Sequence, residues 1–216
     1  MHVEIDYEDK PDVAIITDDA VDELEAEAIP HADDFEALKK RFFLDIPDHE
    51  VEFEASHTWK IDDWKSLERK ERGPVFSCGP HPWRILFFPY GNNVDCVSLY
   101  LEHGFDDKGP PEDWYACVQF MLILWNPNDP TMYTAQCANH RFTAEEGDWG
   151  FTRFIELRKL FAPQWDDRDR PLVENYSANI SACVRVLKDP TGVLWHNFIK
   201  YVIPFTWLYV SNLFQL

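Results

Sequence analysis

The sequence predicts an all-β fold: an antiparallel β-sandwich with one short helix inside it, preceded by an acidic disordered tail. Three observations predict it. From Val51 onward, apolar runs rich in aromatic and β-branched residues are separated by Pro, Gly and Asn turn signals. One run places Tyr176, Ala178, Ile180, Ala182, Val184 and Val186 at alternate positions, the period of a strand with one face buried and one in water. Helical spacing is nearly absent from the region, and many strands with little helix point to a sandwich.

The elements follow in order. Residues 1–32 are acidic, poor in aromatics and interrupted by Pro11 and Pro30, a composition that predicts disorder. Asp33 or Asp34 then caps a helix reaching Leu44. Phe35, Leu38 and Phe42 lie on one side of it, and Lys39-Lys40-Arg41 sit near its C-terminal end, where cations suit the helix dipole. It reads as a packing helix or a helical linker, so residues 1–50 form a flank and residues 51–190 the domain. Strands are expected over Glu52–Ile61, Pro82–Tyr90, Val94–Glu102, Trp114–Trp125 and Thr131–Phe142, with the turns Gly91-Asn92-Asn93 and Asn126-Pro127-Asn128-Asp129-Pro130 between them. The internal helix is expected over Thr152–Phe161, with Phe154, Ile155, Leu157 and Phe161 as its apolar side. Residues 191–216 read as a junction and an apolar tail.

Charge narrows the partners. Of the net −19, most belongs to residues 1–50, which hold 17 acidic and four basic groups. So acidic a chain repels phosphate backbones and anionic lipid, which argues against nucleic acid and membrane surfaces. The apolar tail is shorter than the roughly 20 residues a spanning helix needs, and Pro204, Ser211, Asn212 and Gln215 interrupt it. The five cysteines form no C-x-x-C pair, and the N-terminus lacks the basic and apolar regions of a signal peptide. They are read as reduced thiols of a nuclear or cytoplasmic protein. The histidines show no H-x-x-x-H or H-E-x-x-H spacing and there is no Gly-rich phosphate loop, so neither metal nor cofactor is expected.

Three passages together resemble MATH (TRAF-like) domains: His57-Thr58-Trp59-Lys60-Ile61-Asp62-Asp63-Trp64; Trp83 to Asn92 followed by Val97-Ser98-Leu99-Tyr100-Leu101; and Asp148-Trp149-Gly150-Phe151-Thr152-Arg153-Phe154-Ile155. They come in the family's order and cover about residues 55–187. Asp189-Pro190-Thr191-Gly192-Val193-Leu194-Trp195-His196-Asn197-Phe198 resembles the junction that precedes the catalytic domain in fungal ubiquitin-specific proteases related to the herpesvirus-associated one. The Gly-Leu-x-Asn-x-Gly-x-Thr-Cys box that opens that catalytic domain has no match here. The chain departs from the pattern at about Tyr201, so it is expected to be a binding module with no catalytic residues.

The candidate site is Asp148-Trp149-Gly150-Phe151. Strand geometry puts Trp149 and Phe151 on one face and Asp148 on the other. Composition alone assigns such a run to a core. The resemblance implies that Asp148 and Trp149 contact short serine-containing peptides, with Gly150 between them and Phe151 either in the site or anchoring the next element. Asn139 and Arg141, on the preceding strand, either line the groove or are solvated strand polars. Members of the family carry an arginine shortly before the strand matching Trp83-Arg84-Ile85. The stretch Phe76 to Trp83 has none, which leaves the ligand motif open. The expected function is recruitment of protein partners in the ubiquitin pathway. The alternatives are the MATH half of a cullin-type ubiquitin-ligase adaptor, or a fragment of an active cysteine-type deubiquitinase.

Overall fold

The structure, a computed structural model, describes residues 29–43, 46, 49–162 and 170–195. The disorder expected for residues 1–28 and the apolar tail at 201–216 lie outside the described residues. The elements are α1 (Phe35–Phe42), β1 (Val51–Ile61), β2 (Glu71–Arg72), β3 (Phe76–Cys78), β4 (His81–Phe88), β5 (Cys96–His103), β6 (Tyr115–Asn126), β7 (Asp129–Thr143), β8 (Asp148–Glu156) and β9 (Ala178–Leu187). Every strand pairing between them is antiparallel. One sheet runs β1-β9-β6-β7, and the other β2-β4-β5-β8 with β3 also on β4. Their inner faces enclose one core, in which Trp83, Phe87, Phe120, Phe142 and Phe154 are fully buried. The sandwich is the expected one, with β2 and β3 as strands too short for periodicity to reveal.

α1 is a covering element of the first sheet. Asp34 caps it by accepting the Ala37 N–H at 3.0 Å. Leu38 and Phe43 are buried against Met121, Ile123, Trp125 and Cys183 on the outer face of β6 and β9. Burying a leucine side chain contributes about 1.5–3 kcal/mol. Lys39 is buried too and pairs with Glu36 at 2.5 Å and with Glu54 of β1, which also binds Arg185 of β9. Burial opposes the Lys39 charge, but the bonds to Glu36 and Glu54 outweigh it and raise its pKa. The chain just before α1 is ordered as well: Ala32 is buried and its N–H bonds the Pro130 carbonyl at 2.8 Å. Disorder was expected through residue 32, and this contact instead fixes Ala32 against the first sheet.

Two further expectations are corrected. β9 was expected to have one wet face, yet nearly all of it is buried. Its polar face lies under α1 and between β1 and β6, where the Ser181 hydroxyl meets Thr58 Oγ1 at 2.8 Å and accepts the Trp125 indole N–H at 2.9 Å. The helix expected over Thr152–Phe161 is instead the second half of β8, followed by a 3-10 turn at Leu157–Lys159. The cause is a bulge: Phe151 pairs with Leu99 and Ile155 with Val97, four residues against two. The bulge turns the adjacent Phe154 and Ile155 both inward, and that broke the alternation and imitated helical spacing.

Candidate functional site

β7 and β8 are the last strands of their sheets, and they lie side by side at one margin of the sandwich. Asp148, Trp149, Gly150 and Phe151 open β8, paired with Glu102, Leu101, Tyr100 and Leu99 of β5. Trp149 and Phe151 share the inner face, as expected, and both are partly buried against the core. Phe151 lies 6.2 Å from Phe120 and 6.1 Å from Phe154, a place in the core chain of rings that supports its anchoring role. Trp149 sits nearer the mouth, stacked on His140 of β7 with ring centroids 4.1 Å apart and planes within 4°. Gly150 is required sterically, because a Cβ there would meet the Leu99 carbonyl oxygen at 2.3 Å and the Tyr100 Cα at 2.5 Å.

The backbone of β8 shows where this margin is open. The His103 N–H bonds the Gly147 carbonyl at 3.0 Å, so Gly147 faces β5. Main-chain groups alternate sides along a strand, so Trp149 and Phe151 also face β5, while the N–H and C=O of Asp148 and Gly150 face outward. Past the bulge the edge closes. The Gln136 side chain of β7 donates to the Phe154 carbonyl at 2.9 Å, filling the place an added strand would take. The usable edge is therefore the first half of β8.

The Asp148 side chain is exposed on the outer face of the second sheet. Next to it lies Glu102, which receives Arg72 Nε at 2.8 Å, Arg72 Nη2 at 3.0 Å and Arg84 Nε at 2.6 Å. Burial opposes ionisation of Glu102, but the two guanidiniums outweigh it and hold its carboxyl below the usual value. Among the described residues Asp148 has no such hydrogen-bonded cation. Crowding by the surrounding protein and the Glu102 charge push its carboxyl above the usual value, against the pull of Lys70 and Arg72. A cross-strand row Arg84–Glu102–Asp148 thus ends at the open edge in a carboxylate with room for a hydrogen-bond donor.

Asn139 and Arg141 are not brought to this edge. Both belong to the face of β7 opposite to that of His140 and Phe142, on the outside of the first sheet. Asn139 is exposed there. Arg141 reaches the turn after β9: Nη1 bonds Asp189 Oδ2 at 2.8 Å and the Leu194 carbonyl at 3.1 Å, and Nη2 bonds the Gly192 carbonyl at 3.2 Å. Its guanidinium also lies 3.8 Å from the Tyr115 ring centroid. With these partners Arg141 clamps the junction turn, away from the β8 edge, where a groove was one of its two expected places. The Cys117 thiol lies beneath, 3.3 Å from the Leu194 carbonyl, and burial pushes its pKa up to about 11.

Sequence reasoning missed His140, Gln136, Arg72, Arg84 and Glu102. His140 and Gln136 alternate with the buried Phe142, a signal that places them inside. Nothing in the sequence says that β7 meets β8. All five cysteines are free thiols. Among the described residues no cluster of His, Cys, Asp and Glu suits a metal, and no helix is long and apolar enough to cross a membrane.

These features define a β-sandwich whose β8 edge is open over its first half and bordered by an indole and a carboxylate. The sequence profile of the MATH domain matches residues 56–167, and the chain belongs to the MATH-domain family. It is 36% identical over 194 residues to ubiquitin carboxyl-terminal hydrolase 15 of Schizosaccharomyces pombe, covering 79% of this chain and 17% of that protein. It is 41% identical over 169 residues to ubiquitin carboxyl-terminal hydrolase 15 of Saccharomyces cerevisiae, covering 71% and 14%. Ubiquitin carboxyl-terminal hydrolase 5 of S. pombe is 38% identical over 159 residues, covering 72% and 14%. The chain thus matches less than a fifth of the length of these relatives. Among solved structures, Notothenia coriiceps TRAF5 aligns at a TM-score of 0.43 and 18% identity, over 60% of this chain and 72% of that one.

Proposed function

We propose that the open edge of β8 takes up a short extended segment of a partner protein as an added strand. The observation that carries this reading is the pair of outward-facing main-chain positions, Asp148 and Gly150, with a carboxylate on one face and the Trp149 indole on the other. An added strand gains main-chain hydrogen bonds from such an edge, and its alternate side chains are read on the two faces. On the Asp148 face, a Ser or Thr hydroxyl donating to the carboxylate contributes about 1.5–3 kcal/mol. Trp149, with Phe151 behind it, supplies the apolar contact. Asp148, Trp149, Gly150 and Phe151 make up the site; Arg141 is outside it.

The relatives are named as ubiquitin carboxyl-terminal hydrolases, and on that likeness we assign this chain a recruiting role in deubiquitination, in the subfamily related to the herpesvirus-associated protease. The chain as given binds and does not hydrolyse, and its free cysteines fit a nuclear or cytoplasmic setting. A peptide array probed with the full chain and with Trp149→Ala tests the reading. Serine-containing peptides that bind the parent and fail with the variant support it. Binding that survives the substitution overturns the site. Release of fluorophore from a ubiquitin conjugate by this chain overturns the non-catalytic role.

A further inference from the structure

We propose that His140 is a positioning residue of the peptide site, holding the Trp149 indole in the orientation that meets a docked strand. This rests on the peptide-docking reading above, and it adds to the site a residue from the opposite sheet. The two rings are parallel within 4° at 4.1 Å, and His140 makes the one ring contact of Trp149 among the described residues. Phe142 fixes the imidazole in turn, edge-on at 4.9 Å and 85°. Phe142 is fully buried, so the stack stands on the core. Trp149 itself is only partly buried, and without a flat partner its indole can turn about its side-chain torsions.

His140 also carries a buried polar atom, as His57 and His103 do. Among the described residues the His140 Nε2 is buried with no hydrogen-bond partner, and Glu146 Oε2 lies 3.6 Å away. A buried imidazole nitrogen without a partner is a cost that a plain apolar residue avoids. Beside Trp149, the flat ring supplies a stacking face that an aliphatic residue lacks. Burial keeps the ring neutral by lowering its pKa to about 4, so the stack persists unchanged at neutral pH.

The test uses the full chain labelled with 5-fluorotryptophan, the Trp149 fluorine resonance being assigned by Trp149→Phe. In His140→Ala the Trp149 resonance is expected to shift and broaden while the other indole resonances keep their places. Affinity for an array-selected peptide is expected to fall by about three- to tenfold, the scale of one aromatic contact. His140→Phe restores a flat ring and is expected to restore both the sharp resonance and the affinity. His140→Leu keeps apolar bulk without the ring and is expected to resemble the alanine variant, which covers the case in which His140→Ala folds poorly. The proposal is overturned if His140→Leu keeps the parent Trp149 resonance, or if His140→Phe loses binding as fully as the other variants. Should no peptide bind the parent chain, the docking reading fails by itself, and the fluorine spectra still decide whether His140 orients Trp149.

Discussion

The two sheets differ in how the chain covers them. The first has its outer face covered: α1 lies over β6 and β9, and the turn held by Arg141 lies over the start of β6. The second stops at β8, where the main-chain groups of Asp148 and Gly150 face away from β5. Where the chain covers itself, charged residues such as Lys39, Arg141 and Asp189 are spent on internal partners. Where it leaves an edge open, Asp148 and Trp149 keep a free side. Polar residues a few positions apart in sequence, Arg141 and Asp148, therefore have opposite roles.

Breaking the covered side has the largest expected effect. Leu38→Ala removes a fully buried side chain from under α1 and is expected to cost about 2–5 kcal/mol. That is a fall in Tm of several degrees, with peptide affinity unchanged wherever the protein is folded. A parallel loss of binding at low temperature would show that the two sides are not independent. On the open side, Trp149→Ala is expected to lower peptide affinity by about thirtyfold, the scale of a hot-spot residue, while the cooperative melt survives. Loss of the melt would make Trp149 a core residue. Gly150→Ala joins the two sides, since its Cβ strikes the β5 backbone. We expect about 1–3 kcal/mol of destabilisation by thermal denaturation.

Acid acts on partly buried histidines across the sandwich. Burial lowers the pKa of His57, His81, His103 and His140, the last to about 4. The unfolded chain takes up protons on these groups first, below about pH 6.5. Stability is therefore full above that value and falls as pH drops toward the folded pKa values. Tm is expected to decline from pH 7 to pH 5, and His140→Phe to flatten part of that slope; an unchanged slope would remove His140 from the account.

The smallest effect on the fold is expected at the clamp. Arg141→Ala lets the turn at Asp189–Leu194 swing into water instead of burying a bare carboxylate, so the global cost is about 1 kcal/mol. Cys117, uncovered, should be alkylated faster than in the parent chain, as read by peptide mass mapping. Peptide affinity should not change, and a loss would return Arg141 to the binding site.

Much of the fold was legible because strand period and turn residues are local signals. The alternation at Ala178–Val186 marked β9, and Asp34 with Leu38 and Lys39 marked α1. The misreadings have non-local causes. Phe154 and Ile155 resembled a helix because a bulge against β5 turned neighbours to one side. The polar face of β9 was taken as wet because its cover, α1, lies far away in sequence. At the site, Asp148 to Phe151 were marked by family resemblance and their two faces by alternation.

By itself, then, the sequence determined the class of fold and the opposite faces on which Asp148 and Trp149 lie. These follow from backbone geometry, which repeats every two residues and needs no knowledge of neighbours. Only the tertiary structure decided that β8 is an edge, that its second half is closed by Gln136, that His140 backs Trp149 and that Arg141 belongs to another task. Those are pairings between segments distant in the chain, selected by the packing of two sheets around one core.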